Sequence, residues 1–110
     1  MRGYFVDELL LITPLRHVPG VRLSGELVGA HKAPLAVAVA EVARDAEEVT
    51  IDLTQVKYLA NSALETIVAL ARNLTPPQYL KVLAAPELRV QERLAAAEWD
   101  RIETLRLSPA

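Results

Sequence analysis

Cysteine is absent from this chain of 110 residues, and histidine occurs only at His17 and His31. The first absence excludes disulfides, thiolate nucleophiles and cysteine-based zinc sites. The two histidines do not have the spacing of a ligand pair, and neither lies near Ser62 in the sequence or has an identifiable orienting acid. We therefore expect no metal site, no cofactor and no catalytic serine–histidine–aspartate set.

Glycine, aromatic residues and long apolar runs are also scarce. The four glycines all precede residue 30, so no glycine-rich loop is available to cradle a nucleotide. Aromatic residues make up 5% of the chain and the formal net charge is -2, which argues against a nucleic-acid surface. The longest apolar runs, residues 9–12 and 35–40, are far too short to insert into a bilayer.

The N-terminal region carries no recognisable targeting signal. Asp7 and Glu8 precede its apolar run, and no small-residue cleavage pattern follows. We expect a cytoplasmic protein organised as one domain over residues 1–110.

The most informative segment is residues 49–74. Val49, Ile51 and Leu53 alternate with polar residues, which is the period-2 pattern of a strand. An apolar stripe at helical spacing follows, made of Leu64, Ile67, Val68, Ala71 and Leu74. Between them, residues 60–62 connect a strand to the start of a helix, where the first backbone N–H groups lack partners. This corner is the first candidate for a functional site.

The remaining segments alternate in the same way. Residues 9–15 and 21–27 predict two strands joined into a hairpin through Pro19 and Gly20. Residues 35–44 suit a buried strand or a buried helix, and their alanine content favours a helix that begins near Pro34. Residues 79–84 predict a strand, Pro86 opens a third helix, and residues 102–107 predict the last strand. The order β-β-α-β-α-β-α-β predicts an α/β domain with a mixed, mostly parallel sheet and helices packed on it.

Three local motifs lie on these predicted elements. Residues 21–27 form an apolar stretch that ends in Gly-Glu-Leu, residues 51–59 read Ile-Asp-Leu followed by Val56 and Leu59, and residues 85–94 read Ala-Pro followed by an apolar and basic segment. Together, in this order and at this spacing, they resemble a STAS domain, the fold of bacterial anti-sigma factor antagonists. The resemblance covers nearly the whole chain.

The resemblance implies a functional motif at the start of the second helix. There the family has Asp-Ser-Ser-Gly or a close variant, and a partner kinase phosphorylates the second serine. The corresponding positions are Ala60, Asn61, Ser62 and Ala63, so the resemblance implies phosphorylation at Ser62 and partner contacts at all four.

Further partner contacts are implied on the neighbouring segments. Glu26 belongs to the Gly-Glu-Leu motif, and Val28 stands where antagonists carry an acidic residue. Tyr58, just before the functional motif, is another candidate contact.

Ser62 has two interpretations. In the first, Ser62 and Glu65 form a capping box, an arrangement in which the serine is worth about 1 kcal/mol. In the second, a phosphate on Ser62 would be held at the positive end of the helix. Because Ala60 and Ala63 replace the acidic residue and the glycine of the family motif, a constitutive binder is favoured over a switched one.

Three other polar side chains are interpreted as structural. We expect His17 and His31 to be surface residues, with His31 placed to cap the first helix. Asp52 is expected to point away from the core, or to cap a neighbouring turn.

Three functions remain open at this point. The resemblance implies a non-catalytic regulatory module in transcription control that binds an anti-sigma factor of the kinase-like ATPase type. The alternative is a STAS subunit of a lipid-transport or sensory assembly, which binds constitutively. An enzyme would need a convergent catalytic cluster, which the sequence does not display. The sequence leaves the oligomeric state open.

Overall fold

The computed structural model describes residues 4–109, which form six strands and three helices. The strands are β1 (Phe5–Val6), β2 (Leu10–Pro14), β3 (Gly20–Leu27), β4 (Glu48–Leu59), β5 (Tyr79–Ala84) and β6 (Leu105–Pro109). The helices are α1 (Lys32–Ala43), α2 (Asn61–Arg72) and α3 (Val90–Ala96). Single 3₁₀ turns at Gly29–His31 and Pro86–Leu88 precede α1 and α3.

The six strands lie in the sheet in the same order as in the chain. The β1–β2 and β2–β3 pairs are antiparallel, and the β3–β4, β4–β5 and β5–β6 pairs are parallel. Each parallel step is a crossover through one helix, and crossovers of one hand that advance in one direction place their helices on the same face. The core therefore lies between the sheet and all three helices.

The core confirms the predicted patterns. Ile51 and Leu53 are fully buried beneath the helices, and the stripe of α2 buries Leu64, Ile67, Val68 and Ala71. Residues 35–44, which suited a strand or a helix, belong mostly to α1. The α/β class and the mixed, mostly parallel sheet are as predicted from the sequence.

Several boundaries differ from the expectation. The two-residue strand β1 was not predicted, because two residues are too short to display an alternation. The last strand begins at Leu105 rather than at residue 102, and the third helix begins at Val90, after the 3₁₀ turn that Pro86 opens. Strand β4 continues to Leu59, although its alternation is clear only as far as Leu53.

Two bulges explain why the alternation of β4 breaks. Arg22 pairs with Asp52 and Ser24 with Gln55, so two steps along β3 match three along β4. A second shift follows between Gly25 and Glu26. Bulges bend a strand and increase its twist. They therefore set the direction in which β4 delivers its last residue to α2.

Among the described residues, no helix covers the opposite face of the sheet. The side chains on this face include Leu11, Arg22, Ser24, Lys81 and Leu83, which alternate with core residues along their strands. We call it the open face.

Candidate functional site

The corner between β4 and α2 is built on Ala60. Its backbone is extended, its N–H donates to Leu27 O at 2.9 Å, and its carbonyl accepts from Ala63 N and Leu64 N at 3.0 Å. The first of these bonds joins the corner to the end of β3. The helix therefore begins at a position that the sheet fixes directly.

Ser62 is exposed in the first turn of α2, and its hydroxyl oxygen makes no hydrogen bond to any residue in the range 4–109. The predicted capping box is wrong. The N-cap residue is Ala60, and no side chain bonds the cap. Because α2 begins at Asn61, Ser62 is already helical and its hydroxyl cannot take the capping position. Because the Ser62 hydroxyl makes none of these bonds, it is available to bind a partner.

Gly29 packs against Ser62 and forms one side of the corner. A Cβ at Gly29 would lie 2.8 Å from Ser62 Oγ, so the 3₁₀ turn approaches the serine as closely as a glycine allows. The position of this turn thus limits the space around Ser62.

Arg93 fixes the other side of the corner. Its Nη2 atom donates to Leu59 O and to Asn61 Oδ1, both at 2.7 Å. This one guanidinium joins α3 to the end of β4 and orients the Asn61 amide. Sequence reasoning placed Arg93 in a family-like motif but assigned it no role, since nothing in the sequence relates it to a residue 32 positions earlier.

The remaining predicted contacts divide into exposed residues, Glu26 and Tyr58, and residues that are partly or fully buried, Val28 and Ala63. Tyr58 is 54% exposed, pairs with the exposed Glu26 on β3, and lines a hollow of about 310 Å³ together with Asn61 and Arg93. Val28 is half-buried, and Ala63 is only 2% exposed. Ala63 therefore packs into the core in this structure. The corner surface is defined here as Glu26, Tyr58, Asn61 and Ser62.

His31 is buried, which corrects the expectation of a surface residue. Its Nδ1 atom accepts from Val28 N at 3.1 Å, and its Nε2 atom lies 2.9 Å from Asp7 Oδ2. Since Val28 N can only donate, Nδ1 must be unprotonated and Nε2 donates to the carboxylate. The imidazole stands at the N-cap position of α1 but makes no bond to that helix.

Asp7 anchors this arrangement from the other end. Its carboxylate also accepts from Leu10 N and Leu9 N at 2.8 Å, and these two bonds are the main reason that its pKa lies below the usual value. The resulting chain of bonds runs from Asp7 through His31 to Val28. It holds the turn that packs on Ser62. Both ring nitrogens are engaged, so His31 does not face Ser62 as a base. The other histidine, His17, is exposed as expected.

Asp52 lies on the open face, away from the core as predicted, yet it is 5% exposed. Its Oδ1 accepts from Thr54 N at 2.9 Å and Thr54 Oγ1 at 2.6 Å, and its Oδ2 accepts from Arg22 Nε at 3.2 Å. These bonds hold the first bulge of β4. Burial acts to raise the pKa of the Asp52 carboxyl, but the bonds from Thr54 and Arg22 outweigh it, so the pKa is lowered.

The Asp52 carboxyl predicts how stability depends on pH. A carboxyl with a lower pKa in the folded than in the unfolded chain stabilises the fold above the unfolded pKa, about 4, and loses that contribution as the pH falls through the folded pKa. We therefore expect the free energy of unfolding to decrease as the pH falls below about 4, and to decrease less in Asp52→Asn, which cannot be protonated. Urea titrations at several pH values measure both. Parallel curves for the two proteins would contradict this assignment.

Two further features bear on the class of site. Among residues 4–109 no three histidine, aspartate or glutamate side chains lie close enough to hold a metal ion. None of the helices in the described range has the length and hydrophobicity needed to cross a bilayer.

Comparison with known proteins agrees with this geometry. A family model described as "Mlab, STAS domain" matches residues 13–107. The solved structure of an anti-sigma factor antagonist from Mycobacterium paratuberculosis superposes with a TM-score of 0.68 at 22% identity, covering 88% of this chain and 83% of that one. No curated protein sequence matches the chain significantly.

Proposed function

The chain belongs to the STAS domain family, and on this premise we propose that it is a non-catalytic regulatory module that binds an anti-sigma factor of the kinase-like ATPase type. Its fold is that of the anti-sigma factor antagonist with which it superposes. The proposed contact region is the corner surface, with Ala60 and Val28 at its edge and Ala63 as buried support.

The observation that carries this proposal is the state of Ser62. It is exposed in the first turn of α2, its hydroxyl is free of bonds within the described residues, and Asn61 beside it is held by Arg93. Binding through the Asn61 amide costs little entropy, because Arg93 orders this side chain beforehand. Phosphorylation at Ser62 would add charge at the positive end of the helix and change this surface sharply.

Added charge at Ser62 tests the proposal. Ser62→Glu should weaken binding to the purified anti-sigma factor by more than about tenfold, roughly 1.4 kcal/mol, because the new charge must be desolvated and lies near Glu65. Ser62→Ala should change unfolding stability by no more than about 0.5 kcal/mol, since the hydroxyl makes no bond. Titration calorimetry and urea unfolding measure the two effects.

A matched control adds the same charge elsewhere on the helix. Asn73→Glu places a carboxylate at the exposed C-terminal end of α2, away from the corner surface. Binding of this variant should equal that of the wild type. Folded Ser62→Glu and Asn61→Arg variants that both keep full affinity would remove the corner from the interface.

A second candidate is a STAS subunit of a lipid-transport or sensory assembly that binds constitutively. The neutral residues Ala60 and Ala63 on either side of Asn61 and Ser62 favour it, because the acidic residue and the glycine of the antagonist motif are replaced. Co-purification from the native host distinguishes the two. An anti-sigma factor supports the first candidate, and a transporter or receptor subunit supports the second.

A further inference from the structure

The open face carries a concavity that the function proposed above does not use. Leu11, Leu15, Val18 and Leu83 supply apolar lining, and Arg22 and Lys81 supply positive charge. The volume is about 840 Å³. We call it the open-face groove.

The connection between β2 and β3 makes this surface concave. Gly20 has no side chain, and Leu15 occupies the space, with its Cδ1 atom 2.8 Å from where a Cβ would be. Residues 15–18 of this connection line the groove beside the strands, and Val18 is 46% exposed. Thr50 of β4, whose N–H donates to Pro19 O, also lines the groove and is only 4% exposed. The groove therefore has the sheet as its floor and the connection as one wall.

Three cationic side chains, Arg16, Arg22 and Lys81, line the groove with two carboxylates, Asp52 and Glu48, so the lining has an excess of one positive charge with His17 neutral. The Asp52 carboxylate, on its floor, is taken up by Thr54 and by Arg22 Nε. Glu48 accepts from the hydroxyl of Tyr79 at 2.6 Å. The terminal Nη atoms of Arg22 bond no residue in the range 4–109, and its side chain is 52% exposed. Lys81 forms no ion pair within that range.

This arrangement resembles the way proteins prepare an arginine for an anion. A buried carboxylate that holds Nε fixes the plane of the guanidinium and leaves its terminal N–H fork free. Aliphatic side chains on both sides of the fork offer a dry surface to the rest of a ligand.

We propose that the open-face groove binds a small amphipathic anion, an aliphatic carboxylate, with its head on the Arg22 fork and its chain along Leu83, Leu11 and Val18. Lys81 supplies a second positive charge to the head. A volume of this size lies within the range of small-molecule sites. A helix of a partner protein fits less well, because the connection that forms one wall of the groove interrupts the face on which a helix would lie.

Decanoate is the probe for this site. Titration of the ¹⁵N-labelled wild-type chain, at concentrations below micelle formation, should give saturable shifts at the amides of Thr13, Val18 and Leu83. Decyltrimethylammonium has the same chain with a positive head and should not saturate the site. No saturable binding of decanoate, or equal binding of the cation, would overturn the proposal. So would shifts confined to α2, which would place any ligand at the corner instead.

Two variants and a control test the residues. Arg22→Gln should weaken decanoate binding by about tenfold, because the charged fork is lost. Lys81→Gln leaves the bond between Arg22 and Asp52 intact and should weaken decanoate binding by a smaller factor. Arg72→Gln removes an exposed arginine from α2 and should have no effect. Unchanged affinity in folded Lys81→Gln and Arg22→Gln would contradict the assignment. Binding of the anti-sigma factor is measured separately, so the failure of either proposal leaves the other standing.

Discussion

Replacing Gly25 by alanine is expected to lower the free energy of unfolding by about 3 kcal/mol or more. Gly25 has a φ of 113°, a backbone conformation that residues with a side chain rarely adopt, and an added Cβ would overlap the carbonyl oxygen of Leu9. That oxygen also accepts from Glu26 N at 2.9 Å, so it cannot retreat without breaking a bond of the hairpin. The strain and the overlap therefore add. Urea unfolding followed by the fluorescence of Trp99, the single tryptophan, measures the loss.

Gly29→Ala is the matched control, because the same atom is added where the neighbour can move. The nearest atom is the exposed hydroxyl of Ser62, which can rotate away. The unfolding free energy of Gly29→Ala should differ from that of the wild type by less than about 1 kcal/mol. Equal losses in the two variants would contradict the account of Gly25. Failure of Gly25→Ala alone to fold would be the expected effect in its extreme form.

Arg93→Met is expected to lower the unfolding free energy by about 2 kcal/mol, the range typical of bonds to a charged donor. Methionine keeps much of the apolar stem but leaves Leu59 O and Asn61 Oδ1 without the guanidinium. The corner should loosen as well, because Arg93 is the link between α3 and the end of β4. Faster amide hydrogen exchange at Ala60 and Leu64, whose N–H groups are bonded at the corner, would report this directly.

Arg89→Met controls for the loss of a positive charge in the same region. Arg89 is exposed, and its one ion pair within residues 4–109 is with Glu92 three residues later, at 3.1 Å. Such surface pairs contribute little, so we expect a change within about 0.5 kcal/mol and no change in exchange at the corner. If both variants lose the same stability, the bonds of Arg93 are not what holds the corner.

The layered fold could be predicted from the sequence because burial leaves a periodic trace. Ile51 and Leu53 alternate in a strand, and Leu64 and Ile67 recur at helical spacing, so each element shows which side meets the core. Helix α1 was ambiguous for a physical reason. Its outer side is apolar too, with Val37 at 69% exposure, and a segment without a polar side has no period to detect.

The details of the corner could not be predicted because they depend on contacts between distant residues. His31 is buried through a carboxylate 24 positions away, and Asn61 is held by an arginine 32 positions away. The capping box failed for a local reason. The Ser-x-x-Glu pattern is present, but the bond from Ala60 to Leu27 fixes the start of α2, and the N-cap lies two residues earlier than the pattern requires. The bulges of β4 could not be predicted either, because a bulge changes how the strands pair and leaves no trace in the amino-acid composition.

The order of the strands also bears on how the chain folds. Because each strand lies beside its neighbour in the sequence, the sheet can grow at one edge, from the hairpin outward, as successive segments arrive. No strand has to enter between two that are already paired, as the second half of a doubly wound sheet must when it returns to the middle. Every pairing closes only the loop made by one turn or one helix, and short loops cost less entropy to close than long ones. The strand order that leaves one face of the sheet uncovered thus also allows the strands to pair in the order in which they occur in the chain.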